Sequence, residues 1–162
     1  MTDIVASKKD LLEFVSFLNH KFELSAIVES DYFEPGMMEN LNQYKGEYDE
    51  SNNMITLRVD AKGLRYDNRT QNLERLSVGE PVDIVRESGN LYNSNNFMIK
   101  NKNNSLGNLP AELCNALAPL YDSGYATVLS AEVSYIEKLR DRSRYAKQGI
   151  LFVELHIKLR SI

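Results

Sequence analysis

One cysteine and two histidines are all the thiol and imidazole groups that 162 residues offer. Cys114 has no internal partner for a disulfide, and with only His20 and His156 beside it no closed four-ligand zinc site can be assembled. A disulfide scaffold and a zinc finger are both excluded. Long apolar runs are missing as well. None approaches the ~20 residues that span a bilayer, and the N-terminus lacks the basic start, apolar stretch and small-residue cleavage site of a secretory leader. The expectation is a soluble, cytoplasmic protein with no membrane contact. A basic surplus is also lacking: the net charge is -4, the opposite of a broad phosphate-backbone binder. Catalytic signatures are absent too, since there is no Gly-rich phosphate loop ending in Lys-Ser/Thr, no paired histidines at metal spacing and no nucleophile elbow. Carboxylates are many, but the sequence fixes no pair of them in space. The chain is therefore expected to be neither an enzyme nor a carrier of a cofactor or metal.

What is present suffices for one compact domain with a terminal extension, because 43% of residues are hydrophobic and 26% charged. The acidity is unevenly spread. Residues 1–60 hold five Lys and Arg against twelve Asp and Glu, a net -7, whereas residues 61–162 hold fourteen against eleven, a net +3. A local field, not the total, steers a charged partner. The richest cationic stretch places Lys138, Arg140, Arg142, Arg144 and Lys147 against Asp141 alone. Such a run reads either as a solvated loop or as a phosphate-contacting one.

Hydrophobic periodicity gives the elements. Ser7 and Asp10 form a capping-box pattern, and Leu11, Phe14, Val15, Leu18 and Phe22 follow at helical spacing, so a helix is expected over Lys8 to Lys21. Phe22 to Glu29 reads as a strand and Pro35-Gly36 as a turn, while Met37 to Tyr44 fits a short helix or a loop. Ile55, Leu57, Val59 and Ala61 alternate with polar residues as in a half-buried strand, and Tyr44 to Asp49 pairs with it through the turn at residues 50–53. Further strands are expected over Pro81 to Glu87, Asn96 to Asn101 and Ala126 to Ile136, with a polar turn at Lys102 to Ser105. Pro110 opens a helix capped near Asn108 or Leu109, with Leu113, Leu117 and Leu120 on one face and its end at Gly124. Five alternations, Leu151 to Leu159, make the last strand. Short strands, one late helix and no strand-helix-strand rhythm predict a mainly β fold, an OB-like antiparallel barrel with one inserted helix. On that helix Cys114 reads as a small buried hydrophobe. His156 points to the polar face of the last strand and His20 to the end of the first helix, neither with an evident partner.

Four blocks then occur in a specific order: Gly63-Leu64-Arg65-Tyr66; Val78-Gly79-Glu80-Pro81 running on to Arg86-Glu87; Asn90-Leu91-Tyr92-Asn93; and Leu106-Gly107-Asn108-Leu109-Pro110 with the helix that ends in Asp122-Ser123-Gly124. The combination resembles the HIRAN domain, found alone in bacteria and phages and at the N-terminus of Swi/Snf-type helicases that act on stalled replication forks. The resemblance covers about residues 55 to 159. It divides the chain into an acidic extension with one helix, 1–53, and a barrel domain, 54–162.

The resemblance implies a module that captures the free 3' end of single-stranded DNA. Arg65 would contact phosphate, Tyr66 and Tyr92 would offer faces to the terminal bases, and Asn90 and Asn93 would hydrogen-bond the sugar end. Stacking on an aromatic ring contributes ~1 to 3 kcal/mol per base and tolerates any sequence. The usual Asn-Pro-Tyr-Asp is here Asn90-Leu91-Tyr92-Asn93, so an amide replaces the carboxylate acceptor. Ser88 replaces the usual Pro after Arg-Glu, and Asn108 replaces an aromatic or His, which bears on one phosphate contact. Without the family, Tyr66 and Tyr92 read as core or rim tyrosines, Arg65 as a partner of Asp67 or Glu87, Arg86 as a loop-orienting residue paired with a carboxylate, and the asparagines as turn formers. The alternative reading is a protein-interaction or homo-oligomerisation module whose extension docks a protein partner or a second copy.

Overall fold

A computed structural model of the chain describes residues 13–14, 47–49 and 51–160. Within these the fold is mostly β, built from two antiparallel sheets. The first has the order β1-β2-β7-β6, from β1 (Glu47–Asp49), β2 (Met54–Asp60), β6 (Ala126–Glu137) and β7 (Ile150–Leu159). The second is the meander β3 (Asp83–Glu87), β4 (Asn96–Asn101) and β5 (Asn104–Asn108). Two seams join the sheets. Lys62, just past β2, bridges Asn108 at the end of β5, and Pro81, just before β3, bridges Glu132 in β6. The strands thus follow a continuous circuit through β2, β7, β6, β3, β4 and β5, the partly open barrel expected of an OB-like fold.

The alternation read from the sequence decides which way each strand faces. Ile55, Leu57 and Val59 of β2 and Leu151, Val153, Leu155 and Ile157 of β7 are buried, and the two strands pair antiparallel from Met54–Lys158 to Asp60–Phe152. The long β6–β7 ladder has register shifts after Val128 and after Val133, the bulges that give a strand the bend a small barrel needs. Helix α2 (Ala111–Asp122) buries Leu113, Cys114, Leu117, Ala118 and Leu120 and packs against β4 of one sheet and β6 of the other. Tyr121 meets Phe97 edge-to-face at 5.2 Å.

Several expectations change. Pro110 is itself the N-cap of α2, at φ -54° and ψ 139°, and its carbonyl accepts the first helical bond from Cys114; the Asn108 side chain is turned elsewhere. The polar turn shrinks to Lys102 and Asn103, with Lys102 at φ 56°, and the chain returns at once as β5. A short helix that the sequence did not signal, α1 (Arg69–Leu73), follows the left-handed residues Asp67 and Asn68. His156 does have partners: its Nε2 lies 3.1 Å from Glu154 Oε1 and its Nδ1 3.5 Å from Thr56 Oγ1.

Of the expected first helix, Glu13 and Phe14 are described; both are helical, and Phe14, 4% exposed, belongs to the barrel core. The rest of that helix, His20, the strand at 22–29, the Pro35-Gly36 turn and residues 37–44 lie outside the described residues. From the expected strand at 44–49, Glu47–Asp49 pairs with β2 as anticipated. No helix among the described residues is long and apolar enough to cross a membrane.

Candidate functional site

Two loops carry the residues singled out in the sequence. The first leaves β2 at Gly63, whose φ of +72° suits glycine. A Cβ there would sit 2.9 Å from Arg69 Nη1 and 3.3 Å from Asn108 Nδ2, so the backbone approaches these side chains more closely than any other residue would allow. Turn bonds from Tyr66 N to Gly63 O and from Arg69 N to Tyr66 O then fold the chain into α1. At the crest the Arg65 guanidinium lies 5.0 Å from the Tyr66 ring centroid and donates to the Tyr66 hydroxyl at 2.8 Å. Tyr66 is 54% exposed. Among the described residues no carboxylate pairs with Arg65, so the ion pair considered with Asp67 or Glu87 does not form.

The second loop joins β3 to β4. Asn90 Oδ1 accepts from the backbone N–H of Tyr92 at 2.9 Å and of Asn93 at 3.0 Å, an Asx turn that throws Leu91 and Tyr92 outward. Leu91 is 95% exposed and Tyr92 98%. Asn93 is engaged at both ends of its amide, accepting from Asn95 N at 3.0 Å and donating to Asn115 Oδ1 at 3.2 Å. Its carbonyl oxygen keeps one further lone pair. The root of this loop is held by Arg86, as the sequence suggested. That guanidinium binds Asp122 of α2 bidentately at 3.0 and 2.9 Å and donates to the carbonyls of Ser94 and Asn96. Hydrogen bonding to Asp122 raises the Arg86 pKa above its ordinary value.

Beneath the loops runs a polar chain that sequence reasoning missed. Arg69 and Asn96 are the buried polar side chains of the described residues, 7% and 6% exposed. Arg69 donates to Ser105 Oγ at 2.8 Å, Gly63 O at 3.2 Å and Asn108 Oδ1 at 3.3 Å. The same Asn108 oxygen accepts from Asn96 Nδ2 at 3.1 Å, Asn96 also donates to Glu87 Oε1 at 2.6 Å, and Asn90 Nδ2 lies 3.4 Å from that carboxylate oxygen. An unbroken relay, Arg69–Asn108–Asn96–Glu87–Asn90, thus connects the Tyr66 loop to the Tyr92 loop. Buried polar groups are tolerated when their partners are supplied, and a satisfied network rigidifies what it joins. Among the described residues Arg69 meets no carboxylate directly, so its positive charge lies under Gly63 set only among neutral acceptors.

Of the six residues read from the sequence, Arg65 and Tyr66 share one loop, Asn90, Tyr92 and Asn93 share the other, and half-buried Asn108 links them from below. Arg69, Glu87 and Asn96 complete the arrangement. Of these, Glu87 closes the second of the four blocks, Asn96 is marked only as a polar residue opening the apolar strand Phe97-Met98-Ile99, and Arg69 has no sequence signal.

Elsewhere Cys114 is buried and free, and burial pushes its thiol pKa up, as suits a packing residue. Donor atoms of Glu132, Glu154 and His156 come within 4.8 Å of one another on β6 and β7. Glu154 is held by Arg58 at 2.7 Å and by His156 at 3.1 Å, so two of the three already have partners within the protein.

A partly open β-barrel that carries two loops, each with an exposed tyrosine and the first also with Arg65, on a shared polar support has the architecture of an OB-like fold. The HIRAN domain family model matches residues 54–149, more than half of the chain, and the chain belongs to that family. Two solved structures are similar. The HIRAN domain of human HLTF is 26% identical, with a TM-score of 0.46 over 64% of this chain and 76% of that one. A protein from Lactobacillus plantarum is 24% identical, with a TM-score of 0.49 over 64% of this chain and 95% of that one. No match was found among curated proteins.

Proposed function

We propose that this chain is a non-catalytic DNA-binding module that holds single-stranded DNA, with preference for a free 3' end. Tyr66 and Tyr92 offer ring faces to the last bases and Arg65 meets a phosphate, with Arg69 adding field from below. Asn90 and Asn93 line the turn where the terminal sugar would sit. The binding domain is residues 54–162, and residues 1–53 form an acidic extension. The observation that carries the reading is the relay from Arg69 to Asn90, which supports a fixed spacing between two exposed tyrosines. A ring that is 98% exposed at a loop tip contributes nothing to the core and leaves its face open to a base.

The test is a fluorescence anisotropy series at low salt with short single strands ending in a 3' hydroxyl, a 3' phosphate or a labelled 5' end only. The 3' hydroxyl strand should bind most tightly. Equal affinity for all three would reject end capture, and no binding to any would reject the function.

The alternative, in which the extension recruits a protein partner or a second copy, needs an apolar helix face left open. At Phe14 that face is taken up by the chain's own core, which favours the DNA-binding reading.

A further inference from the structure

The most cationic stretch of the chain takes no part in the site above. The loop between β6 and β7 carries Lys138, Arg140, Arg142, Arg144 and Lys147 against Asp141 alone. It is built, not loose. A 3-10 turn spans Leu139–Asp141, and Arg142 closes the loop by donating to Gln148 O at 2.7 Å, with its Nε 3.8 Å from Glu137 at the stem.

The loop is also tied to the helix that follows Tyr66. A Cβ on Gly149 would lie 2.5 Å from Leu73 Cδ2 and 2.8 Å from Glu137 O, so the start of β7 presses on α1. Arg140 lies 3.5 Å from Glu74, the residue that ends α1. Five helical residues rise only about 7 Å, so α1 is a short spacer between the Arg65–Tyr66 turn and the cationic loop.

At its tip the loop repeats the geometry of the first site. Arg144 donates to the Tyr145 hydroxyl at 2.8 Å with its guanidinium 5.0 Å from the ring centroid, the same two distances as in Arg65–Tyr66. Tyr145 is 77% exposed. Among the described residues no carboxylate pairs with Lys138, Arg144 or Lys147. A merely solvated charge run has no use for an open ring with a guanidinium laid over it, whereas a nucleic-acid strand uses both.

We propose that the 138–149 loop is a second strand-binding surface, which takes one base on Tyr145 and the neighbouring phosphates on Arg144, Lys138 and Lys147 as the strand leaves the Tyr66–Tyr92 site. This rests on the reading of that site as one for single-stranded DNA. It goes beyond it by assigning the body of the strand, not its end, to a separate element of the fold.

The experiment compares oligo-dT of four and of twelve nucleotides, both with a 3' hydroxyl, by anisotropy across a salt series. Wild-type protein, the R144A/Y145A variant and the K138Q/K147Q variant are measured, with thermal melting of each as the check on folding. The wild type should bind the longer strand at least about fivefold more tightly, the lower end of one stacked base. R144A/Y145A should bind the short strand as the wild type does and lose that gain. K138Q/K147Q should lower the salt slope on the long strand by about 1.4, at roughly 0.7 for each of the two phosphate contacts removed. Equal wild-type affinity for both lengths overturns the proposal while leaving the end site standing. So does an R144A/Y145A variant that melts normally and loses affinity equally for both. Failure of the wild type to bind either strand overturns the end site and this surface together.

Discussion

The side-chain amide of Asn96 donates to the carboxylate of Glu87 across 2.6 Å, at the end of the β3–β4 ladder that leads into the Tyr92 loop. Its second bond, to Asn108 at 3.1 Å, makes this one buried amide the middle link of the relay. Asn96→Ala removes the closer donor of the Glu87 carboxylate and one of the two donors of the Asn108 amide oxygen, a loss of about 1 to 3 kcal/mol of stability. The same change should weaken DNA binding, because the loops lose their common support. Chemical denaturation and anisotropy on the same sample check both, and an unaltered denaturation midpoint would show that the relay is dispensable.

Gly63 offers a sharper probe of the same region. At φ +72°, with Arg69 Nη1 2.9 Å from where a Cβ would stand, Gly63→Ala strains the backbone and pushes the guanidinium off its acceptors. A destabilisation of about 1 to 2 kcal/mol from the left-handed backbone alone is expected, with a further loss in strand affinity. Thermal melting reads the first and anisotropy the second.

The extent to which the site was legible in the sequence follows from where its chemistry lies. β2 and β7 announced themselves because Ile55-Leu57-Val59 and Leu151-Val153-Leu155 alternate with more exposed positions, Phe152 being the buried exception on the opposite face of β7. β5 did not, since Asn104-Ser105-Leu106-Gly107-Asn108 has one large apolar residue and earns its place through the Lys62 seam, a contact 46 residues away in sequence. α1 was hidden for a related reason: five residues are too few for helical periodicity, and Asn68 starts it from a left-handed backbone without a side-chain cap. The exposed half of the site, Arg65, Tyr66, Asn90, Tyr92 and Asn93, was visible as blocks. Its inner half was visible only in part: Glu87 and Asn108 lie in the blocks, but Arg69 and Asn96 do not, because they meet Asn108 only after three strands and a helix have come together, and no local pattern encodes such a meeting.

The extension makes its own prediction. Phe14 is buried in the core although it lies 40 residues before β2. Phe14→Ala should therefore cost about 3 kcal/mol, as for a buried aromatic ring. A change within about 0.5 kcal/mol, the range of ordinary surface substitutions, would mean that the helix does not pack on the barrel in solution.

Cys114 supplies the pH dependence. Burial raises its folded-state pKa above the ordinary 9.0. The unfolded chain therefore loses its thiol proton at lower pH than the folded one, and this group's contribution to stability is complete below pH 9.0 and lost as pH rises through the folded value. Cys114→Ser should flatten the alkaline limb of a stability-against-pH curve, and alkylation of the native thiol near neutral pH should be far slower than that of the denatured chain.

The central claim is that two exposed tyrosines on separate loops grip one strand. The direct measurement is the anisotropy of a short 3' hydroxyl strand with the wild type, Tyr66→Ala, Tyr92→Ala and the double variant, alongside their melting temperatures. Tyr92→Ala should leave melting unchanged within about 0.5 kcal/mol, because its ring is 98% exposed, yet weaken binding by about 1 to 3 kcal/mol. The double variant should lose at least as much again. Wild-type affinity retained in the folded double variant would contradict the account.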